Sequence, residues 1–129
     1  MAGTPIIPIS LPKPPVPYSP GVLAGNVLYV AGILSLAEDM KTTVGIGDIR
    51  VQTHQVIGTI QTIVEEAGGT LADITFNSIF LRNLEDYAGM NEVYGAYFKD
   101  RPPARYCIRA DLVPSDCLIE IASIAHIAR

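Results

Sequence analysis

The hydrophobic pattern of this chain changes period along its length, and each change predicts an element. Asn26-Val27-Leu28-Tyr29-Val30-Ala31-Gly32 is apolar, β-branched and closed by glycine, which predicts a buried strand that Ile33 to Leu36 extends beyond a bulge. From Ile49 to Ala67 the spacing becomes helical. Val56, Ile60, Ile63, Val64 and Ala67 recur on one side, Asp48 can cap the start, and Gly68-Gly69 stops the run. Ile74 to Leu81 returns to strand, with Ile74, Phe76, Ser78 and Phe80 on one face and Thr75, Asn77, Ile79 and Leu81 on the other. Both faces read as largely buried. A second helix is predicted from Leu84 to Phe98, capped by Asn83, with Tyr87, Met90, Tyr94, Tyr97 and Phe98 as its apolar stripe and Asn91 at the edge. Ala104 to Leu112, a turn at Val113-Pro114-Ser115-Asp116, and Cys117 to Ile127 read as a closing hairpin.

Seven of the ten prolines lie at or before Pro20, so residues 1–21 are predicted to form an extended arm. Tyr18 sits within it in Pro17-Tyr18-Ser19-Pro20-Gly21, where flanking prolines leave the ring few orientations and suit it to a pocket mouth. Each helix joins two strands by a crossover, which predicts an α+β fold: a mixed β-sheet with two helices on one face, in a single domain of residues 1–129. The opposite face is left bare with Val, Ile, Leu and Phe on it, and a second copy of the chain is expected to cover it.

Composition sharpens that expectation. Apolar residues make up 49% of the chain against 17% charged, with a mean hydropathy of +0.32, more greasy surface than one small core hides. Charged and polar residues still break every apolar stretch before the roughly 18 residues of a membrane span. The start, Met1-Ala2-Gly3-Thr4-Pro5, lacks a secretory pattern, and a cytoplasmic location is expected. Two cysteines and two histidines make neither a disulfide framework nor a four-ligand metal site. A net charge of −4 and a pI near 5.0 argue against nucleic acid as partner and favour small metabolites.

Two charges interrupt apolar strand: Arg105 in Pro103-Ala104-Arg105-Tyr106-Cys107-Ile108, and Glu120 in Leu118-Ile119-Glu120-Ile121-Ala122. Buried charges are costly and call for a partner or a task. Alternation places Arg105, Cys107, Arg109 and Asp111 on one face. In the predicted hairpin Arg105 is opposite Ile124 and Arg109 is opposite Glu120, all four on the same side. One reading is an Arg109–Glu120 surface pair with Arg105 on a wet rim. The other is a pocket, in which Arg105 grips a carboxylate with two parallel hydrogen bonds and a buried Glu120 of raised pKa exchanges a proton. Cys107 reads as a small pocket-lining side chain, since neither a histidine nor a helix start stands near it in sequence. Asn91 fits either a pocket donor or a subunit seam, and His54 and His126 read as satisfied structural histidines.

The segments Pro103-Ala104-Arg105-Tyr106-Cys107, Asn91-Glu92-Val93-Tyr94, Glu120-Ile121-Ala122 and the Pro17–Gly21 arm resemble the Rid family of enamine/imine deaminases, also called YjgF. Ala67-Gly68-Gly69-Thr70, Ala72 to Phe80 and Glu120 to Ala128 are similar to a branch of that family associated with pyrimidine breakdown. The resemblance implies a chorismate-mutase-like subunit in a barrel-shaped homotrimer with three intersubunit clefts. It also implies that Arg105 binds the substrate carboxylate, that Glu120 positions or activates water, and that Tyr18, Gly32, Asn91 and Cys107 line the cleft. No cofactor or metal is implied. The implied reaction is hydrolytic deamination of 3-aminoacrylate to malonic semialdehyde and ammonia, with 2-aminoacrylate and 2-aminomuconate as alternative substrates and a non-catalytic trimeric binding module as a rival. RNA cleavage, also linked to the family, fits the acidic balance poorly. One position departs: Ala31 stands where members commonly carry serine, which removes a hydroxyl from the site.

Overall fold

The computed structural model describes residues 2–127; Met1 of the predicted arm, and Ala128 and Arg129 of the predicted domain, lie outside the described residues. Within the arm a short strand, β1 (Thr4–Ile6), pairs antiparallel with β2 (Gly21–Ala24), which turns back into β3 (Val27–Leu34). The register of β3 shifts between Val30 and Ile33, so the bulge expected at the glycine is present.

Helix α1 (Ile49–Glu66) starts on Asp48, whose carboxylate accepts the backbone N–H groups of Arg50 and Val51 at 3.1 Å each. It ends where Gly68, at φ +94°, takes the left-handed conformation that releases the chain. Strand β4 (Ile74–Leu81) follows. The second helix, α2 (Tyr87–Phe98), starts later than the pattern predicts, after one 3₁₀ turn at Leu84–Asp86. Asn83 precedes that 3₁₀ turn, and its side chain makes no capping hydrogen bond.

Strands β5 (Ala104–Arg109) and β6 (Ile119–His126) complete a six-stranded mixed sheet in the order β1-β2-β3-β6-β4-β5. The predicted hairpin is therefore wrong. Crossing over through α2 returns the chain parallel to β4, so β5 takes the edge beside it, while β6 inserts antiparallel between β3 and β4. The connection 110–118 is carried past the end of β4 by Arg82. This guanidinium donates to the carbonyls of Cys117 (2.9 Å), Leu112 (2.8 Å) and Pro114 (2.8 Å), holding the loop away from a tight turn.

Both helices cover one face of the sheet, as expected. Leu28, Ile79, Leu81, Ile119 and Ile121 meet Val56, Ile57, Ile60, Ile63 and Met90 there in a fully buried core. The other face is open in the single chain. Tyr29, Tyr106 and Ile108 are exposed on it, and Phe76, Phe80 and Ile124 are half-buried. Burial of both faces of β4 thus holds only on the helix side. A bulge between Ile74 and Phe76 also moves Ile74 away from the face it was expected to share with Phe76. Among the described residues, no helix is long and apolar enough to cross a membrane.

Candidate active site

Register assigns each charged residue its side. Asn77 is buried under the helices and is opposite Arg105 on β5, so Arg105 belongs to the helix face. Phe80, on the open face, is opposite Glu120 on β6, so Glu120 belongs there. Arg105 and Glu120, expected on a common side, lie on opposite faces of their own sheet. Nor do Arg109 and Glu120 pair, because β4 separates their strands. The structure holds two half-sites.

The first is built on α2 and β5. Tyr87, Asn91 and Tyr94 recur at i, i+4 and i+7, so one face of the helix presents all three to the strand. Arg105 donates from Nη2 to Asn91 Oδ1 at 2.7 Å and to Tyr87 Oη at 3.2 Å. Its guanidinium carbon lies 4.7 Å from the Tyr94 ring centroid and 5.8 Å from that of Tyr87. Nε and Nη1 make no hydrogen bond among the described residues, which leaves N–H donors of the guanidinium free for an anion. Because Asn91 gives its carbonyl oxygen to Arg105, its amide nitrogen remains as a donor. Cys107, two residues along β5, lines the same depression with Leu84 and Tyr87. Burial pushes its thiol pKa up, with Arg105 opposing, so it stays a thiol. The tyrosines Tyr87 and Tyr94 went unassigned in the sequence because they read as an apolar stripe; the i, i+4, i+7 spacing around Asn91 was the available signal.

The second half-site is built on the arm, the β3 bulge and β6. A Cβ on Gly32 would lie 2.0 Å from Glu120 Oε2, so only glycine lets the carboxylate rest against the bulge. Ala31 N–H donates to Pro20 at 2.9 Å and ties the arm to the bulge, bringing Tyr18 to this site. Burial, then the Glu120 charge, raises the Tyr18 pKa. Burial raises the pKa of Glu120 itself. Tyr18 and Gly32 also line a largely apolar cavity with Leu36, Met40 and Gln55.

Among the described residues, no group of three or more His, Cys, Asp or Glu stands close enough to hold a metal ion. Cys107 and Cys117 are free thiols. His54 bonds the Tyr97 hydroxyl at 3.0 Å and His126 the Thr75 hydroxyl at 2.9 Å, the satisfied roles expected of them.

The family model described as Endoribonuclease L-PSP matches residues 9–127. The chain belongs to this YjgF/Rid family. It is 49% identical over 122 residues, 95% of the chain and 96% of the relative, to 3-aminoacrylate deaminase RutC of Acinetobacter baylyi. Among solved structures, the YjgF gene product of E. coli superposes with a TM-score of 0.87 at 29% identity, covering 98% of this chain and 99% of that one. E. coli TdcF, solved with bound serine, gives 0.87 at 26% identity, covering 97% and 99%. The YjgF/Rid fold is thus shared across sheet and helices alike.

Proposed function

We propose that the two half-sites meet across subunit boundaries in a homotrimer, and that the resulting clefts hydrolytically deaminate a small enamine or imine carboxylic acid in the cytoplasm. The observation that carries this reading is the separation of Arg105 from Glu120 on opposite faces of one sheet. Each half lacks what the other offers, and the open aromatic face gives a second copy a surface to cover. The substrate best supported is 3-aminoacrylate, as a step in pyrimidine breakdown, on the strength of the RutC relative.

Arg105 holds the carboxylate through its remaining N–H donors while Tyr87, Asn91 and Tyr94 fix the guanidinium. The enamine gains a proton at carbon and becomes an iminium. Water, oriented by Glu120, adds to the electrophilic carbon and loses a proton to give a carbinolamine. Ammonia then leaves and the carbonyl forms. One water is consumed, so aminoacrylate becomes malonic semialdehyde and ammonia.

A second reading, a binding module without turnover, is favoured by Ala31, which supplies no hydroxyl beside Gly32. RNA cleavage ranks last for a chain of net charge −4. The test generates aminoacrylate in situ and follows ammonia. Wild type accelerates its release over buffer, and Arg105→Ala abolishes the acceleration. Carboxylate binding without any acceleration favours the binding module, and an undiminished Arg105→Ala refutes the role given to Arg105.

A further inference from the structure

Among the described residues, five polar side chains are fully buried in this core: Ser35, Gln52, Thr53, Asn77 and Ser123. Three of them tie down backbone. Ser35 bonds the Val44 carbonyl, Thr53 the Ile49 carbonyl, and Gln52 three groups on the Gly45 and 116–118 segments. Asn77 and Ser123 bond other side chains instead. Ser123 Oγ donates to Asn77 Oδ1 at 2.6 Å, and Asn77 Nδ2 donates to Tyr94 Oη at 2.9 Å. Such a chain is dearly desolvated and holds no loop or cap, so its purpose lies at its end.

That end is the ring under Arg105. Register places Ser123, Asn77 and Arg105 side by side across β6, β4 and β5 on the helix face, and Tyr94 descends on this row from α2. Phe98 packs against the Tyr94 ring at 4.6 Å between centroids, and Asn77 pins its hydroxyl. The ring therefore has one position, and the guanidinium 4.7 Å from it inherits that position. We propose that Ser123, Asn77 and Tyr94 are positioning residues that set the height and tilt of the Arg105 guanidinium for a carboxylate. This rests on the reading that Arg105 binds the substrate carboxylate.

The test uses the purified full chain and two readouts. One is the Kd for propionate, an unreactive monocarboxylate, by NMR titration; the other is KM and kcat for ammonia release. Tyr94→Phe keeps the ring and removes the acceptor of Asn77, and Ser123→Ala removes a single hydroxyl and serves if Tyr94→Phe folds poorly. Each is expected to raise Kd and KM about fivefold, the loss of roughly one hydrogen bond's worth of fixation, with kcat within twofold. On an Arg105→Ala background the same substitutions are expected to change Kd no further. A purely structural role would lower the melting temperature and leave Kd alone. The inference is overturned if folded Tyr94→Phe or Ser123→Ala binds propionate as wild type does, or if the effect persists without Arg105. Propionate binding unchanged by Arg105→Ala alone would instead sink the carboxylate reading beneath it.

Discussion

Under the proposed mechanism, replacing Gly32 with alanine is expected to separate catalysis from folding. The new Cβ would stand 2.0 Å from Glu120 Oε2 and 3.0 Å from its Cδ, whereas real Cβ atoms essentially never come within 3.0 Å of such a neighbour. The carboxylate must retreat by at least 1 Å. It is the far end of a flexible side chain on a half-open face, so the retreat is cheap for folding. For catalysis it is not, since a displacement of about 1 Å at a positioned group costs on the order of 10²-fold in rate. That corresponds to about 2.7 kcal/mol of transition-state stabilisation. The assay is ammonia release from aminoacrylate generated in situ, alongside a thermal melt. Gly32→Ala is expected to lose about two orders of magnitude in kcat with its melting temperature nearly unchanged, and to add nothing to the loss in Glu120→Ala. Full activity in a folded Gly32→Ala protein would refute the claim that Glu120 must rest against the bulge.

Glu120→Gln addresses pH. Burial lifts the folded carboxyl pKa above its unfolded value, so ionisation opposes folding: the penalty is absent below the unfolded pKa and complete above the folded one. The substitution is expected to raise the melting temperature near about pH 8 and to change little near about pH 4. The acid limb of the activity profile, moved upward from the usual glutamate value by the same burial, should vanish with it; an unaltered limb assigns it to another group. Arg82→Met removes three charge-assisted bonds to carbonyls and is expected to cost about 3 kcal/mol in urea unfolding; under about 1 kcal/mol would show that the 110–118 connection needs no clamp.

Much of the architecture was legible because its signals are local. Asp48 and Gly68 bracket α1 where capping chemistry says they should, and alternation alone located β4. The two helices on one face followed from the crossovers. What escaped was long-range. Adjacency of β5 and β6 in sequence favours a hairpin, and nothing near either strand announces that Arg82, after β4, draws their connection over the sheet end. That error carried the sidedness of the site with it, because a common face for Arg105 and Glu120 follows from the register of a direct β5–β6 pairing and not from the register that runs through β4. Arg105, Glu120, Tyr18, Gly32, Asn91 and Cys107 were all picked out, and the structure groups Arg105, Asn91 and Cys107 apart from Glu120, Gly32 and Tyr18. Asn77 and Ser123 stayed hidden, since a buried asparagine or serine takes its meaning only from the neighbour it meets across strands.

The placement of Arg105 and Glu120 on opposite faces means that a chain defective in one group retains the other intact. Under the proposed assembly, chains carrying Arg105→Ala and chains carrying Glu120→Ala, each inert alone, would rescue one another when co-refolded. Random mixing in equal amounts restores about one cleft in four, so complementation to about a quarter of wild-type activity would be a genetic signature of a shared reaction centre. Two inert parents yielding inert progeny would mean that each chain works alone.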